Sequence, residues 1–270
     1  MPDIVRSISG VRVLEELSRR ESPVHRRHPF AKLAVTLAFL VAVAAGPRRE
    51  LVGLLPFALY PFLTASLAEV PARPLLERLL LAAPIVVGIG ALNPLFDREA
   101  VALGGITVPG GWLVFASLAL RCALTVSAAL LLVATTRMEE LGGSMRALGF
   151  PRVLVLQLLL TYRYIALLLE ELATSLRAHA LRAPGRRGIG REARGSLPGR
   201  LLLRSYDRGR RVYDAMRLRG FDGEYRSGAK RRFGAGDLGY VLGWCGFFLA
   251  CRLVDLPGAL GALAMGLPTR

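Results

Sequence analysis

The chain of 270 residues is 53% hydrophobic, with a mean hydropathy of +0.43, above the apolar share usual for a soluble domain. Its 36 Lys and Arg outweigh 20 Asp and Glu, a formal charge of +16, and its 3 cysteines all lie in apolar stretches. A secreted disulfide scaffold, a zinc protein and a disordered chain are excluded; a membrane protein with basic cytoplasmic segments or a nucleic-acid binder is left.

Residues 1–29 are mixed and charged, so no signal peptide is expected there. His25 and His28 stand three apart, but Arg26 and Arg27 between them oppose a divalent cation and no carboxylate completes a metal set. No metal site is assigned; Arg26, Arg27 and Lys32 are expected among lipid headgroups. Uncharged apolar windows follow at Leu33–Pro47, Leu51–Ala68 and Leu79–Phe96. Trp112–Thr136 is apolar but for Arg121, and Leu238–Cys251 closes the set. Each is read as a crossing of the hydrocarbon core, which takes about 20 mostly apolar residues. Pro56, Pro61, Pro84 and Pro94 lie inside these windows, as bilayer helices tolerate. Five crossings are predicted. Arg121 is expected to snorkel or to cap a neighbouring helix's carbonyls. Gly104-Gly105 and Gly110-Gly111 fall where an outer turn is expected and are too short to cradle phosphate.

Val153–Leu169 is apolar enough for a sixth crossing, but Arg163 lies near its middle, at a cost of roughly 2.5–3.5 kcal/mol. Arg163, Glu170 and Arg177 recur every seven residues on one face, and no Gly or Pro interrupts Arg152–Ala183. The spacing predicts one amphipathic helix of about 48 Å, lying under or obliquely into the membrane; a crossing is the alternative. Charge favours the first reading. By count, residues 170–232 hold 17 Lys and Arg against 7 Asp and Glu, and five crossings keep that block on the cytoplasmic side with the N-terminus.

Inside the block, Gly185, Gly188, Gly190, Gly195, Pro198 and Gly199 read as a flexible basic loop, with helix periodicity resuming from Leu201 to Gly220. Each helix ends alike: Ala178-His179-Ala180-Leu181-Arg182-Ala183, and Ala215-Met216-Arg217-Leu218-Arg219-Gly220. Ala and Arg at i and i+4 share a face, so a small residue admits a close surface while the guanidinium offers five donors. Two such ends form a twofold docking device for a pair of like subunits. Capping and the helix dipole give a second reading of the same string.

With these residues in view, the sequence resembles the transmembrane coupling (T) component of energy-coupling factor (ECF) transporters, of the CbiQ type found with cobalt uptake. The resemblance rests on His28-Pro29-Phe30-Ala31-Lys32-Leu33, on Thr135 to Leu141, on Leu148-Gly149-Phe150-Pro151, on Leu160 to Ile165, and above all on Arg204 to Asp207 and Val212 to Gly223. Where the family carries Asp and Arg, the first string has His28 and Phe30; the first coupling motif ends in Arg182-Ala183 rather than Arg-Gly.

The resemblance implies an all-α membrane protein of about five transmembrane helices plus a cytoplasmic coupling domain of two to three amphipathic helices. Residues 1–136 would hold crossings one to four, 137–232 the coupling domain and 233–270 the last crossing and tail. Ala178, Arg182 and Ala183, then Ala215, Arg219 and Gly220, would dock in two ABC-type ATPase subunits. Arg163, Glu170, Arg177 and Asp214 would support them. ATP and Mg would be bound by those partners, and a substrate-binding membrane (S) subunit would sit in the lipid bilayer beside this chain, in the plasma (inner) membrane. The chain itself has no nucleotide-binding loop, no assigned catalytic residue and no cofactor. Cobalt for cobalamin synthesis is the implied cargo, with a nickel or vitamin importer as alternative. A membrane-embedded lipid-processing enzyme would need more convergent polar residues than Asn93, Arg121 and Arg163, and a nucleic-acid anchor would need aromatics within the basic block.

Overall fold

The computed structural model describes residues 17–18, 20, 22–47, 51–91, 100–103, 106–182, 191–223 and 232–253. Among them are eight α-helices: α1 Pro29–Ala44, α2 Leu59–Leu67, α3 Ala72–Gly90, α4 Gly110–Thr135, α5 Met138–Ala147, α6 Arg152–Arg182, α7 Arg191–Leu218 and α8 Ala235–Leu253. Two compact units result. One contains residues 17–137 and 232–253 of the described chain; the other contains 138–223.

In the first unit, α1 packs on α4 and α8, and α3 on α4. The spacing Val35, Phe39, Val43 puts one apolar stripe of α1 inward, where it meets Leu124 and Ala128 of α4 and Phe248 of α8. Phe39 is the hub: its ring lies 4.8 Å from Tyr60, 5.3 Å from Phe248 and 6.2 Å from Phe57. Outward, the pattern inverts. Leu76, Leu80, Leu81, Ile85 and Ile89 of α3 are all more than half exposed, a surface suited to lipid rather than water.

Two apolar windows fold differently from a plain helix. Leu51–Ala68 breaks into short 3-10 turns, Val52–Leu54 and Pro56–Ala58, before α2, whose nine residues span only about 14 Å. Pro56 causes the break, since it has no N–H to continue a ladder, whereas Pro61 sits in the first turn of α2 where none is required. Between α3 and α4, the expected outer turn is a β-hairpin. β1, Ala100–Leu103, pairs antiparallel with β2, Ile106–Pro109, and the Gly104-Gly105 connection lies outside the described residues. Among the described residues, the helices long and apolar enough to cross a membrane are Gly110–Thr135 and Arg152–His179, so α6 meets the test that the surface-helix reading sets aside. Helical composition is met by helix, and of the five windows it is Leu51–Ala68 that proline and short turns divide.

In the second unit, α6 is one helix of 31 residues, as its uninterrupted periodicity predicts. α7 departs from prediction: it begins at Arg191 and carries Gly195, Pro198 and Gly199 within it, ten residues before the expected start at Leu201. Interior glycine costs about 1 kcal/mol and proline about 3, penalties that weaken a helix without forbidding it. Residues 183–190 of the basic loop lie outside the described residues.

Candidate functional site

Both predicted docking strings lie at helix ends. Ala178 and Arg182 occupy the last turns of α6, and both are exposed; Ala183 falls outside the described residues. At the end of α7, the Phe221 N–H donates to the Met216 carbonyl and the Gly220 N–H to Arg217, both at 3.0 Å. Gly220 has φ +79°, so this is a C-terminal cap of the left-handed type, with Arg219 on the last half-helical position. A Cβ on Gly220 would meet nothing within 4 Å, so within the chain its backbone angle alone requires glycine. The same closure, with Gly149 at φ +90°, ends α5.

Around these caps the unit exposes what a solvated helix hides. Leu181 is 82% exposed and Leu218 90%, each immediately before the motif arginine. Ala215, Arg219, Asp214, Arg163, Glu170 and Arg177 are exposed as well. The two motifs lie on separate helix ends, Arg182 closing α6 and Arg219 following the last residue of α7. α6 and α7 are tied instead by Glu171, whose carboxylate oxygens lie 3.2 Å from Arg204 Nη1 and 3.1 Å from Arg208 Nη2. Sequence reading missed Glu171, although its neighbour Glu170 was singled out. A carboxylate flanked by a cation pair four residues apart on the next helix was the available signal.

The first unit gathers its polar groups at one end. Lys32, 2% exposed, donates from Nζ to the Thr135 carbonyl at 2.5 Å, capping the negative end of α4. It is therefore buried rather than among headgroups, a correction whose cause is the carbonyl array that α4 leaves at its C-terminus. His25 is buried beside it, with Nε2 3.1 Å from the Leu17 carbonyl and 3.4 Å from that of Ala134. Two carbonyls at Nε2 make that nitrogen the donor, so Nδ1 accepts from the Ser22 hydroxyl at 2.8 Å. Burial lowers the His25 pKa below its usual 6.5, with Lys32 and Arg20 adding to the effect against the two carbonyls. His28 caps α1, accepting at Nδ1 from the Phe30 N–H, as an aspartate would. Its own N–H donates to Asp237 Oδ1 at 2.9 Å, while Asp237 Oδ2 accepts from the Gly234 N–H. Burial would raise the Asp237 pKa, but these N–H groups, with His28 and Arg27, bring it below the usual carboxylate value. At the opposite end, Arg121 donates to the carbonyls of Val43 at 2.8 Å and Pro47 at 2.6 Å, and Arg252 to Ala45 at 2.5 Å. Arg121 is thus the carbonyl cap that its apolar setting suggests.

A family model described as "Cobalt transport protein", CbiQ, matches residues 20–229, spanning both units. The chain belongs to the CbiQ family. Membership makes it a transport protein, in accord with the apolar outer surface of α3 and the two long apolar helices. It is 27% identical over 223 residues to an uncharacterized protein of Methanocaldococcus jannaschii, covering 78% of this chain and 75% of the relative. Over 98 residues it is 32% identical to the nickel permease LarQ of Lactiplantibacillus plantarum, a match covering 36% of each. Among the described residues of this CbiQ-family chain, no three His, Cys, Asp or Glu side chains gather as a metal would require. The two helix ends each present an exposed arginine beside an exposed leucine, with an exposed alanine four residues before the arginine.

Proposed function

We propose that this chain is the transmembrane coupling subunit of an ECF-type importer for a divalent transition metal, with cobalt for cobalamin synthesis as the first candidate. The observation that carries the reading is the capped end of α7, where Ala215, Leu218 and Arg219 stand exposed within the string most similar to the family's coupling motif. Two ABC-type ATPases would each take one helix end, Arg219 and Arg182 reaching acidic or carbonyl partners while Ala215 and Ala178 admit close approach. Ala183 would complete the first motif, and Arg163, Glu170, Arg177 and Asp214 would orient the helices. ATP and Mg would bind the ATPases, and a separate membrane subunit would hold the ion. The name of LarQ supports nickel as the alternative cargo.

Charge and the shared end of the first unit support a sidedness for the proposed subunit. The starts of α1 and α8 and the end of α4 lie together, so residues 22–28, 137 and 232–236 belong on one side of any bilayer that unit crosses. The positive-inside rule puts that side, and the basic residues 138–230, in the cytoplasm of a multi-pass inner-membrane protein.

Arg219→Glu tests the proposal. The variant should insert and purify normally yet lose ATPase co-purification and metal uptake, at least about a hundredfold in affinity for reversing a desolvated charge. Wild-type uptake by that variant overturns the reading.

A further inference from the structure

Eleven residues separate Glu171 from Arg182 along α6, and eleven separate Arg208 from Arg219 at the end of α7. Ala178 and Ala215 each come seven residues after the same two positions. At about 1.5 Å and 100° per residue, each motif arginine stands about 16 Å beyond the Glu171–Arg208 pair, and each Ala and Arg lies within about 20° of its face. The pair lies in the seam between the helices. Along α7 the half-buried residues are Leu201, Ser205, Arg208, Val212 and Met216, one stripe with Arg208 at its centre. Along α6, Leu168, Glu171 and Ser175 are half-buried beside buried Leu176. The Glu171 side chain is 16% exposed and that of Arg208 32%, whereas Arg204 is 66% exposed. Arg208 Nη1 is buried with no hydrogen-bond partner among the described residues, so it is Glu171 that compensates the Arg208 charge. The face that each helix covers at this pair is bare three turns on, at Arg182 and Arg219.

We infer that Glu171 is a positioning residue: by clasping Arg204 and Arg208 it sets the spacing of the two docking ends, so that a pair of like subunits takes both at once. Two arms of equal length carry the same Ala and Arg in the same helical phase, as a twofold partner requires. With the clasp closed, docking of one subunit holds the second end at a fixed place and raises its effective concentration. The inference rests on the docking reading of those ends and adds to it a residue outside both motifs.

Spin labels on Leu181→Cys and Leu218→Cys, both bare, report the separation of the ends in the full chain in detergent, with Cys122, Cys245 and Cys251 replaced by serine. The parent should give one narrow distance distribution. Glu171→Gln should broaden it at least about twofold, because Arg208 is left uncompensated in the seam. Glu171→Arg with Arg208→Glu, which puts opposite charges back across the seam, should narrow it again. Arg204→Gln, whose guanidinium is mostly in water, should broaden it less than Glu171→Gln does. Retention of co-expressed ATPases by the full chain should follow the same order, falling at least about fivefold in Glu171→Gln and recovering in the swap, although both motif arginines are intact. A parental distance distribution in Glu171→Gln overturns the inference, as do full ATPase retention by that variant and a swap that restores neither readout. Full retention by Arg219→Glu overturns instead the docking reading, and the distances in the chain alone still decide whether the clasp sets the spacing.

Discussion

His25 shows how one side chain couples the start of this chain to a helix more than a hundred residues away. Kept neutral by burial, it donates to Leu17 and Ala134 and accepts from Ser22. Its folded pKa lies below the 6.5 of the unfolded chain, so between those values the unfolded chain holds the extra proton. The contribution is complete above pH 6.5 and declines as the pH falls through that window. The thermal midpoint of the wild type in detergent should therefore drop between pH 7 and pH 5 more than that of His25→Gln; a steeper drop in the variant refutes the assignment. In sequence His25 reads as half of a His25/His28 pair beside cations. The pair divides in the fold, His25 binding carbonyls of distant segments and His28 capping its own helix, and only the first role depends on residues far along the chain.

At the scale of elements, the α5–α6 contact depends on which of two adjacent glycines faces inward. A Cβ on Gly142 would lie 2.9 Å from Leu159 Cδ1 and 3.1 Å from its Cγ, while one on Gly143 would meet nothing within 4 Å. Leu159 is buried, so the clash cannot relax freely. Gly142→Ala should cost about 1–3 kcal/mol by overpacking, and Gly143→Ala should gain up to about 1 kcal/mol in helix propensity. Unfolding of the two variants should show opposite signs; equal effects would mean the contact is absent. The existence of α1, α4, α6 and α8 was legible from apolar runs and unbroken periodicity. The start of α7 and the broken segment before α2 were not, because both turn on how far a proline or glycine penalty is outweighed by the rest of the helix.

The first unit as a whole behaves as a set of carbonyl caps, Lys32 and His25 at one end and Arg121 and Arg252 at the other. Under the proposed topology these two ends face opposite sides of the bilayer. In a chain whose Cys122, Cys245 and Cys251 are replaced by serine, an impermeant maleimide should label Pro23→Cys and Gly234→Cys from the same side of reconstituted vesicles, and Ala44→Cys from the other. Labelling of positions 23 and 234 from opposite sides would break the arrangement. Sequence alone determined the helical class, the long helix α6, the basic block and the two Ala-x-x-Leu-Arg ends, since periodicity, charge and capping residues act within a few turns of chain. Tertiary structure alone decided that Lys32 is buried, that Glu171 ties α6 to α7 and that the ends of α1, α4 and α8 meet. Those outcomes rest on carbonyls and cations brought together from distant positions, and the pairing of such groups is written in no local pattern.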